Sequence, residues 1–111
     1  MDQTTKYADI LTQVLYAESR VQFRTIPRLK IVASCDGQTG QFLLVMVGWD
    51  NKNHWEHSIL FHAQLIDGKV LIEADNTEGL KPRLLEAGIP AEDFLDDRDF
   101  DYSRTAQAVA A

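Results

Sequence analysis

The chain has 111 residues, of which 45% are hydrophobic and 25% charged, and its formal net charge is −6. This length and composition indicate one soluble domain over residues 1–111, with a core large enough to need no disulfide or metal support. No apolar run approaches the roughly 20 residues that span a bilayer, and the first ten residues lack the pattern of a signal peptide. We therefore expect a cytoplasmic protein without a cofactor, in which the single cysteine, Cys35, is a small core residue.

The negative charge is concentrated in the C-terminal third. Residues 1–72 carry seven acidic and seven basic side chains, whereas residues 73–101 carry ten acidic and three basic ones. An acidic surface repels phosphate backbones, so direct nucleic-acid binding is disfavoured. The counter-signal is a group of basic residues around the first loop, which is either a phosphate patch or simply a solvated surface. This group comprises Arg20, Arg24, Arg28 and Lys30.

The N-terminal segment predicts one amphipathic helix. Its apolar positions recur at helical spacing and form a single stripe. They are Tyr7, Ile10, Leu11, Val14 and Leu15. Thr4 or Thr5 is the predicted cap, and the helix is expected to run to about Ser19.

Four strand signals follow. "RLKIVASCD" alternates between apolar and more polar residues, whereas "QFLLVMVGW" is almost continuously apolar and is expected to be covered on both faces. "HWEHSILFHAQLI" and "KVLIEA" are joined by Asp67-Gly68, which is a strong signal for a two-residue hairpin turn.

The remaining predicted elements are helical. Asp75 and Glu78 fit a capping box, and the helix either includes Pro82 or begins near it. Gly88 ends it, and Pro90 starts a second, acidic helix, "PAEDFLDD". The sequence therefore predicts an α+β fold: an N-terminal helix, a four-stranded antiparallel meander and two C-terminal helices packed on one sheet face. An open sheet edge makes a homo-oligomer possible.

All three histidines lie between Gly48 and His62. The turn at Asp67-Gly68 sets a register in which 66 faces 69, 64 faces 71 and 62 faces 73. The apolar side chains of that hairpin then share the core face. They are Phe61, Ala63, Leu65, Val70, Ile72 and Ala74.

The same register pairs His62 with Glu73 on the outward face. The pair is either an ordinary cross-strand contact or a polar site, to which Asp75 could be added as a magnesium ligand unless it caps the helix. His57 is predicted on the opposite face of the strand and His54 at its end, which disfavours a zinc site because zinc ligands must lie about 2.0–2.1 Å from one metal ion. We therefore expect no catalytic or metal-binding residues. The alternative is a small metal-dependent or ligand-binding enzyme that uses His62 and Glu73.

Between Val47 and Leu95 a series of short pieces occurs in an order and spacing that resembles the XisI family, the fdxN element excision controlling factors of cyanobacteria. The pieces are Gly48-Trp49-Asp50, His62, Asp67-Gly68-Lys69, Asp75, Thr77-Glu78, the run Glu86-Ala87-Gly88-Ile89-Pro90, and Glu92-Asp93. None of them is a catalytic signature.

The resemblance implies a non-catalytic control protein that acts beside an XisH-like partner and a site-specific recombinase, in the excision of a DNA element during heterocyst differentiation. The C-terminal segment "DDRDFDYSRTAQAVAA" keeps Thr105 and an Ala-Val-Ala ending but lacks the His-Pro-Pro type segment usual in this family. Acidic residues near that segment form the predicted partner-binding surface, which opposite charge would steer toward a basic partner. They are Glu92, Asp93, Asp96, Asp97, Asp99 and Asp101.

Overall fold

A computed structural model describes residues 3–21, 25–77 and 79–95 of the chain. Its elements are helix α1 (Gln3–Ser19), strands β1 (Leu29–Asp36), β2 (Gln41–Trp49), β3 (Trp55–Ile66) and β4 (Lys69–Asp75), helix α2 (Lys81–Ala87), a 3₁₀ turn (Ala91–Asp93) and strand β5 (Phe94–Leu95). α1 ends at Ser19 as predicted, but Thr4 and Thr5 lie inside its first turn rather than at its cap.

The strands form one sheet in the order β1-β2-β3-β4-β5. The predicted meander is confirmed, since each of the first four strands pairs antiparallel with the next. The predicted second C-terminal helix is wrong. The described part of "PAEDFLDD", residues 90–95, forms the 3₁₀ turn and then β5, which adds to β4 in parallel, so the sheet of the described residues is mixed and has five strands.

The core lies between the helices and one face of the sheet. Its α1 contribution is the predicted stripe, with Tyr7, Leu11 and Leu15 buried. The sheet and the C-terminal segments complete the cluster with Ile31, Phe42, Leu44, Phe61, Ala63, Val70, Leu80, Leu84 and Ile89. Cys35 packs against this core as expected, and burial raises the pKa of its thiol.

The segment between β4 and α2 corrects the predicted capping box. The helix begins at Lys81 with Pro82 in its first turn, where proline removes no helical hydrogen bond. The residue at its N-cap is Leu80, not Asp75. Asp75 instead fixes the connecting turn, because its carboxylate accepts the backbone N–H of Thr77 at 3.0 Å and that of Leu80 at 3.2 Å. Glu78 lies outside the described residues.

Among the described helices, neither is long and apolar enough to cross a membrane.

Candidate functional site

The sheet has a second face, opposite the helices, which we call the outer face. In an antiparallel ladder, directly opposite residues point to the same side of the sheet, so the register defines this face. On β1 to β3 it consists of Lys30, Val32, Ser34 and Asp36, then Gln41, Leu43, Val45, Val47 and Trp49, then Trp55, His57, Ile59, His62 and Gln64. Neither described helix packs on it, and Val32, Trp49, Trp55 and Ile59 are exposed there. The expectation that β2 is covered on both faces is therefore wrong for the described part of the chain.

Two β-bulges adjust the predicted register. The turn at Asp67-Gly68 does pair Ile66 with Lys69 and Gln64 with Leu71, as predicted. Beyond Ala63, however, the register shifts, so that His62 pairs with Ala74 rather than with Glu73, and Asp75 rather than Ala74 opposes Phe61. Glu73 is the extra residue of this bulge, and an extra residue bends a strand and redirects its side chains.

The predicted contact between His62 and Glu73 survives the bulge. His62 Nδ1 lies 3.2 Å from Glu73 Oε2, and His62 Nε2 lies 2.7 Å from Gln41 Oε1. Gln64 Nε2 donates to the same Glu73 oxygen at 2.6 Å. The four side chains form one half-buried hydrogen-bonded network across three strands. Because both imidazole nitrogens are engaged, the network resembles a structural cross-strand cluster more than an open ligand site.

The second bulge corrects the predicted position of His57. The register between β2 and β3 shifts at Leu60, so that Val47 opposes His57 while Leu43 opposes His62. His57 and His62 therefore share the outer face instead of lying on opposite faces. They remain two rows apart with Ile59 between them, a separation of about 13 Å along the strand. This distance is too great for a shared metal ion.

The other candidate metal ligands that the sequence offers are also dispersed. Asp75 is held by the turn that follows β4, and His54 lies just before β3, with Nδ1 3.5 Å from Asp50 Oδ2. Asp50 accepts the backbone N–H of His54 and that of Lys52, which lower the pKa of its carboxyl and fix the β2–β3 turn. Over residues 3–21, 25–77 and 79–95, no three side chains of the metal-ligating types come together.

An aromatic cluster at the start of β3 was not predicted. Trp49 and Trp55 face each other across β2 and β3 with ring centroids 5.3 Å apart in an edge-to-face arrangement. The Arg28 guanidinium lies 5.6 Å from the centre of the Trp49 ring and also donates to Asn53 Oδ1 at 2.9 Å. We call Arg28, Trp49 and Trp55 the tryptophan corner.

The tryptophan corner is exposed and lies beside a second basic residue, Lys30. Trp55 is 57% exposed and Trp49 43% exposed. The adjoining row of the outer face contains Lys30 and His57, with no acidic side chain among the described residues of these two rows. The sequence signal that could have indicated this cluster is the apolar run of β2, because the last residue of that run on the outer face is Trp49.

The predicted acidic surface is only partly described. Glu92 is exposed, but Asp93 has a side chain only 14% exposed and packs inward. Asp93 accepts hydrogen bonds from Tyr7 Oη and Gln3 Nε2 and lies 3.5 Å from Lys69 Nζ. The hydrogen bond to Asp93, together with burial, raises the pKa of Tyr7 to about 12. Asp96, Asp97, Asp99 and Asp101 lie outside the described residues, as does Arg24 of the predicted basic group.

A groove of about 420 Å³ lies on the helix side of the sheet, away from the His62 network. Its lining is Glu18, Val21, Ile31, Met46, Leu60, Asn76 and Thr77. The single carboxylate in this lining, Glu18, already forms an ion pair with Arg83. The groove therefore presents neither a nucleophile with its base nor a pair of available carboxylates.

The similarity to known proteins extends over most of the chain. The family model described as XisI protein matches residues 1–106. An XisI-like protein from Anabaena variabilis ATCC 29413 has a solved structure with a TM-score of 0.70 and 21% identity, over 93% of this chain and 94% of that one. The structure of fdxN element excision controlling factor XisI from the same organism gives a TM-score of 0.66 and 25% identity, over 89% of each chain. No curated protein matches the sequence.

Proposed function

Because the chain belongs to the XisI family, we propose that it is a non-catalytic control protein for excision of a DNA element, acting by contact with a second protein. The similar structure named as an fdxN element excision controlling factor supports the process. An XisH-like protein is the partner that we propose. Nothing in this proposal requires a cofactor.

The observation that carries the proposal is the tryptophan corner with the apolar outer face beside it. Tryptophan and arginine are the residue types most enriched at the energetic centres of protein interfaces. Two rows further along the outer face lies a row of apolar side chains, formed by Val32, Val45 and Ile59. From the strand spacing and rise, these three rows of β1 to β3, with Arg28, Lys30 and His57 among their apolar residues, cover about 300 Å² in projection. Patches of this size on single-chain proteins are often functional.

The cationic residues of this region give the proposed partner a chemistry. Arg28 and Lys30 stand beside exposed apolar surface, so the complementary partner surface is acidic with apolar side chains at its centre. This surface differs from the acidic one predicted around Glu92. Both remain proposals, and one experiment can separate them.

The alternative, an enzyme built on His62 and Glu73, has weaker support. Both ring nitrogens of His62 are occupied by side chains, and Asp75 is committed to its turn. The network does not line the groove on the helix side of the sheet, and catalytic groups gain strength where a pocket excludes water.

The test is co-expression with an XisH-like protein, followed by size-exclusion chromatography of the pair at low and moderate salt. We expect a shared peak. Trp55→Ala should weaken the complex roughly 30-fold, the equivalent of about 2 kcal/mol for an interface centre. Tyr16→Ala is the matched control, since Tyr16 is a comparably exposed aromatic residue on α1.

Glu92→Gln tests the acidic surface in the same assay. If the wild-type proteins elute separately at both salt concentrations, the proposed partnership is wrong. If they co-elute and Trp55→Ala binds as well as Tyr16→Ala, the partnership stands but the tryptophan corner is not its contact surface. Binding that does not change with salt would remove the electrostatic part of the proposal.

A further inference from the structure

Among the described strands, β1 lies at one edge of the sheet, and its hydrogen-bonding pattern shows which of its backbone groups point away from β2. The N–H of Trp49 donates to the carbonyl of Arg28 at 3.3 Å, immediately before the pair Leu29 and Gly48. Hydrogen-bonded pairs alternate along an antiparallel ladder. The even-numbered residues of β1 therefore direct their N–H and C=O groups toward β2, and the odd-numbered ones direct theirs away from the sheet.

The other side of β2 gives the same parity independently. The N–H of Leu65 donates to Gly40 and the N–H of Asp50 donates to the carbonyl of His54, both at 2.9 Å. The even-numbered residues of β2 thus direct their backbone N–H and C=O groups toward β3. The backbone groups of its odd-numbered residues are left to pair with β1. The two ladders agree.

Three residues consequently present unpaired backbone groups along this edge. They are Ile31, Ala33 and Cys35, and within the described part of the chain their outward N–H and C=O groups pair with no other element. β1 contains no proline and its register with β2 is uninterrupted by a bulge. The edge therefore lacks two of the usual protections of an edge strand, and because its charged residues, Lys30 and Asp36, are of opposite sign, it is a template for a strand that pairs them.

We propose that β1 pairs with β1 of a second copy of this chain, antiparallel and across a two-fold axis at Ala33. In this register Ala33 opposes Ala33 of the second copy, and Ile31 opposes Cys35. All hydrogen-bonded pairs then use odd-numbered residues, which are the ones with open groups. The two five-stranded sheets become one continuous sheet.

The charges of β1 favour this register. It places Lys30 opposite Asp36 of the second copy, and the two-fold axis forms this pair twice. Asp36 is fixed at the strand end because its carboxylate accepts the N–H of Gln38 at 2.9 Å and the hydroxyl of Thr39 at 3.0 Å. Opposite charges directly across two strands stabilise their pairing. A register centred on Val32 also uses odd-numbered residues but faces Lys30 with Ser34.

The pairing also covers exposed apolar surface. Val32 is 41% exposed on the outer face. In the proposed dimer it lies opposite Ser34 of the second copy. On the helix side, Ile31 and Cys35 are already partly or fully buried and continue the core across the axis. An isologous contact of this kind closes after two copies and leaves the β5 edge unused.

The experiment measures both association and its location. Sedimentation of the full chain from micromolar to millimolar concentration is expected to show a monomer–dimer equilibrium. Amide hydrogen exchange by NMR across that range should show protection appearing at Ile31, Ala33 and Cys35 as dimer forms. A protein that stays monomeric throughout overturns the proposal, as does a dimer in which these three amides exchange as fast as in the monomer.

Two variants test the register. Ala33→Pro removes the outward N–H while leaving the hydrogen bonds between β1 and β2, and it should abolish the dimer with the circular dichroism unchanged. Lys30→Glu should raise the dimer dissociation constant about tenfold, because like charges then face each other twice. Lys52→Glu makes the same charge change in the β2–β3 turn and should have no effect. Equal effects of the two charge variants would contradict the register.

Discussion

Replacing Gly48 by alanine is expected to destabilise the fold by about 3 kcal/mol, because two independent features of the position exclude a side chain. Its φ is 136°, a conformation that costs a non-glycine residue roughly 1–3 kcal/mol. An added Cβ would also lie 2.0 Å from the carbonyl oxygen of Arg28, so the two strands must move apart. That carbonyl accepts the N–H of Trp49, and losing the bond costs about a further 1 kcal/mol.

Gly37→Ala is the matched control for this prediction. The Cβ added there would meet only Ala8 Cβ at 3.9 Å, and no unusual φ opposes it. This variant should fall within about 1 kcal/mol of wild type and can even be stabilising, through the lower entropy of its unfolded state.

The assay is urea unfolding followed by far-ultraviolet circular dichroism, which reports mainly on the backbone and less on the tryptophans beside Gly48 than fluorescence does. Urea unfolding measures the loss of about 3 kcal/mol directly. In thermal unfolding of a domain of this size, the same loss should lower the melting temperature by about 15 °C. Equal stability of the Gly48→Ala and Gly37→Ala variants would refute the reasoning. It would mean that β1 does not approach β2 as closely as the register requires.

Three further predictions concern the core and the titrating groups. Leu84→Ala should lower the free energy of unfolding by about 2–5 kcal/mol, whereas Leu85→Ala, its exposed neighbour, should change it by less than about 1 kcal/mol in the same denaturation assay. Because the folded pKa of Tyr7 is about 12 and its ordinary value is 10.0, stability should be intact below pH 10 and decline as the pH rises from there toward 12. This decline should be absent in Tyr7→Phe, and a tyrosinate absorbance titration that shows every tyrosine ionising near its ordinary pKa would contradict it. The lowered pKa of Asp50 has the opposite sign, so its contribution is present above the ordinary carboxyl range and lost as the pH falls; Asp50→Asn, which keeps an oxygen acceptor, should flatten the acid limb of thermal stability.

The parts of the fold that could be predicted from sequence are those governed by local chemistry. The Asp67-Gly68 turn has φ values of 53° and 77°, the paired positive angles that this dipeptide adopts readily. It therefore fixes the first pairs of its hairpin. The α1 stripe is likewise local, since three of its residues on one helical face are buried together.

The parts that could not be predicted depend on competition between distant segments. Nothing in the alternation of β3 marks Leu60 as the residue that β2 leaves unpaired, yet that bulge moves His57 to the outer face. The strand Phe94–Leu95 is too short to have a period, and it forms because β4 offers an edge to it. The prediction that β2 is covered on both faces fails for a different reason. A continuous apolar run is typical of a strand covered on both faces, but it also occurs where the second face binds something outside the domain.

The two surfaces that could contact a partner act on different steps of binding. The tryptophan corner and Glu92 lie toward opposite ends of β3, the first at Trp55 and the second beside the turn that follows Ile66. An exposed carboxylate such as Glu92 changes mainly the association rate and its salt dependence, whereas a desolvated aromatic residue changes mainly the dissociation rate. Asp93 belongs to neither group, because its bonds to Tyr7 and Gln3 commit its charge to the fold. Kinetic measurement of Trp55 and Glu92 variants therefore distinguishes electrostatic steering from contact energy, and a variant of Asp93 in such a series would report the loss of α1 packing instead.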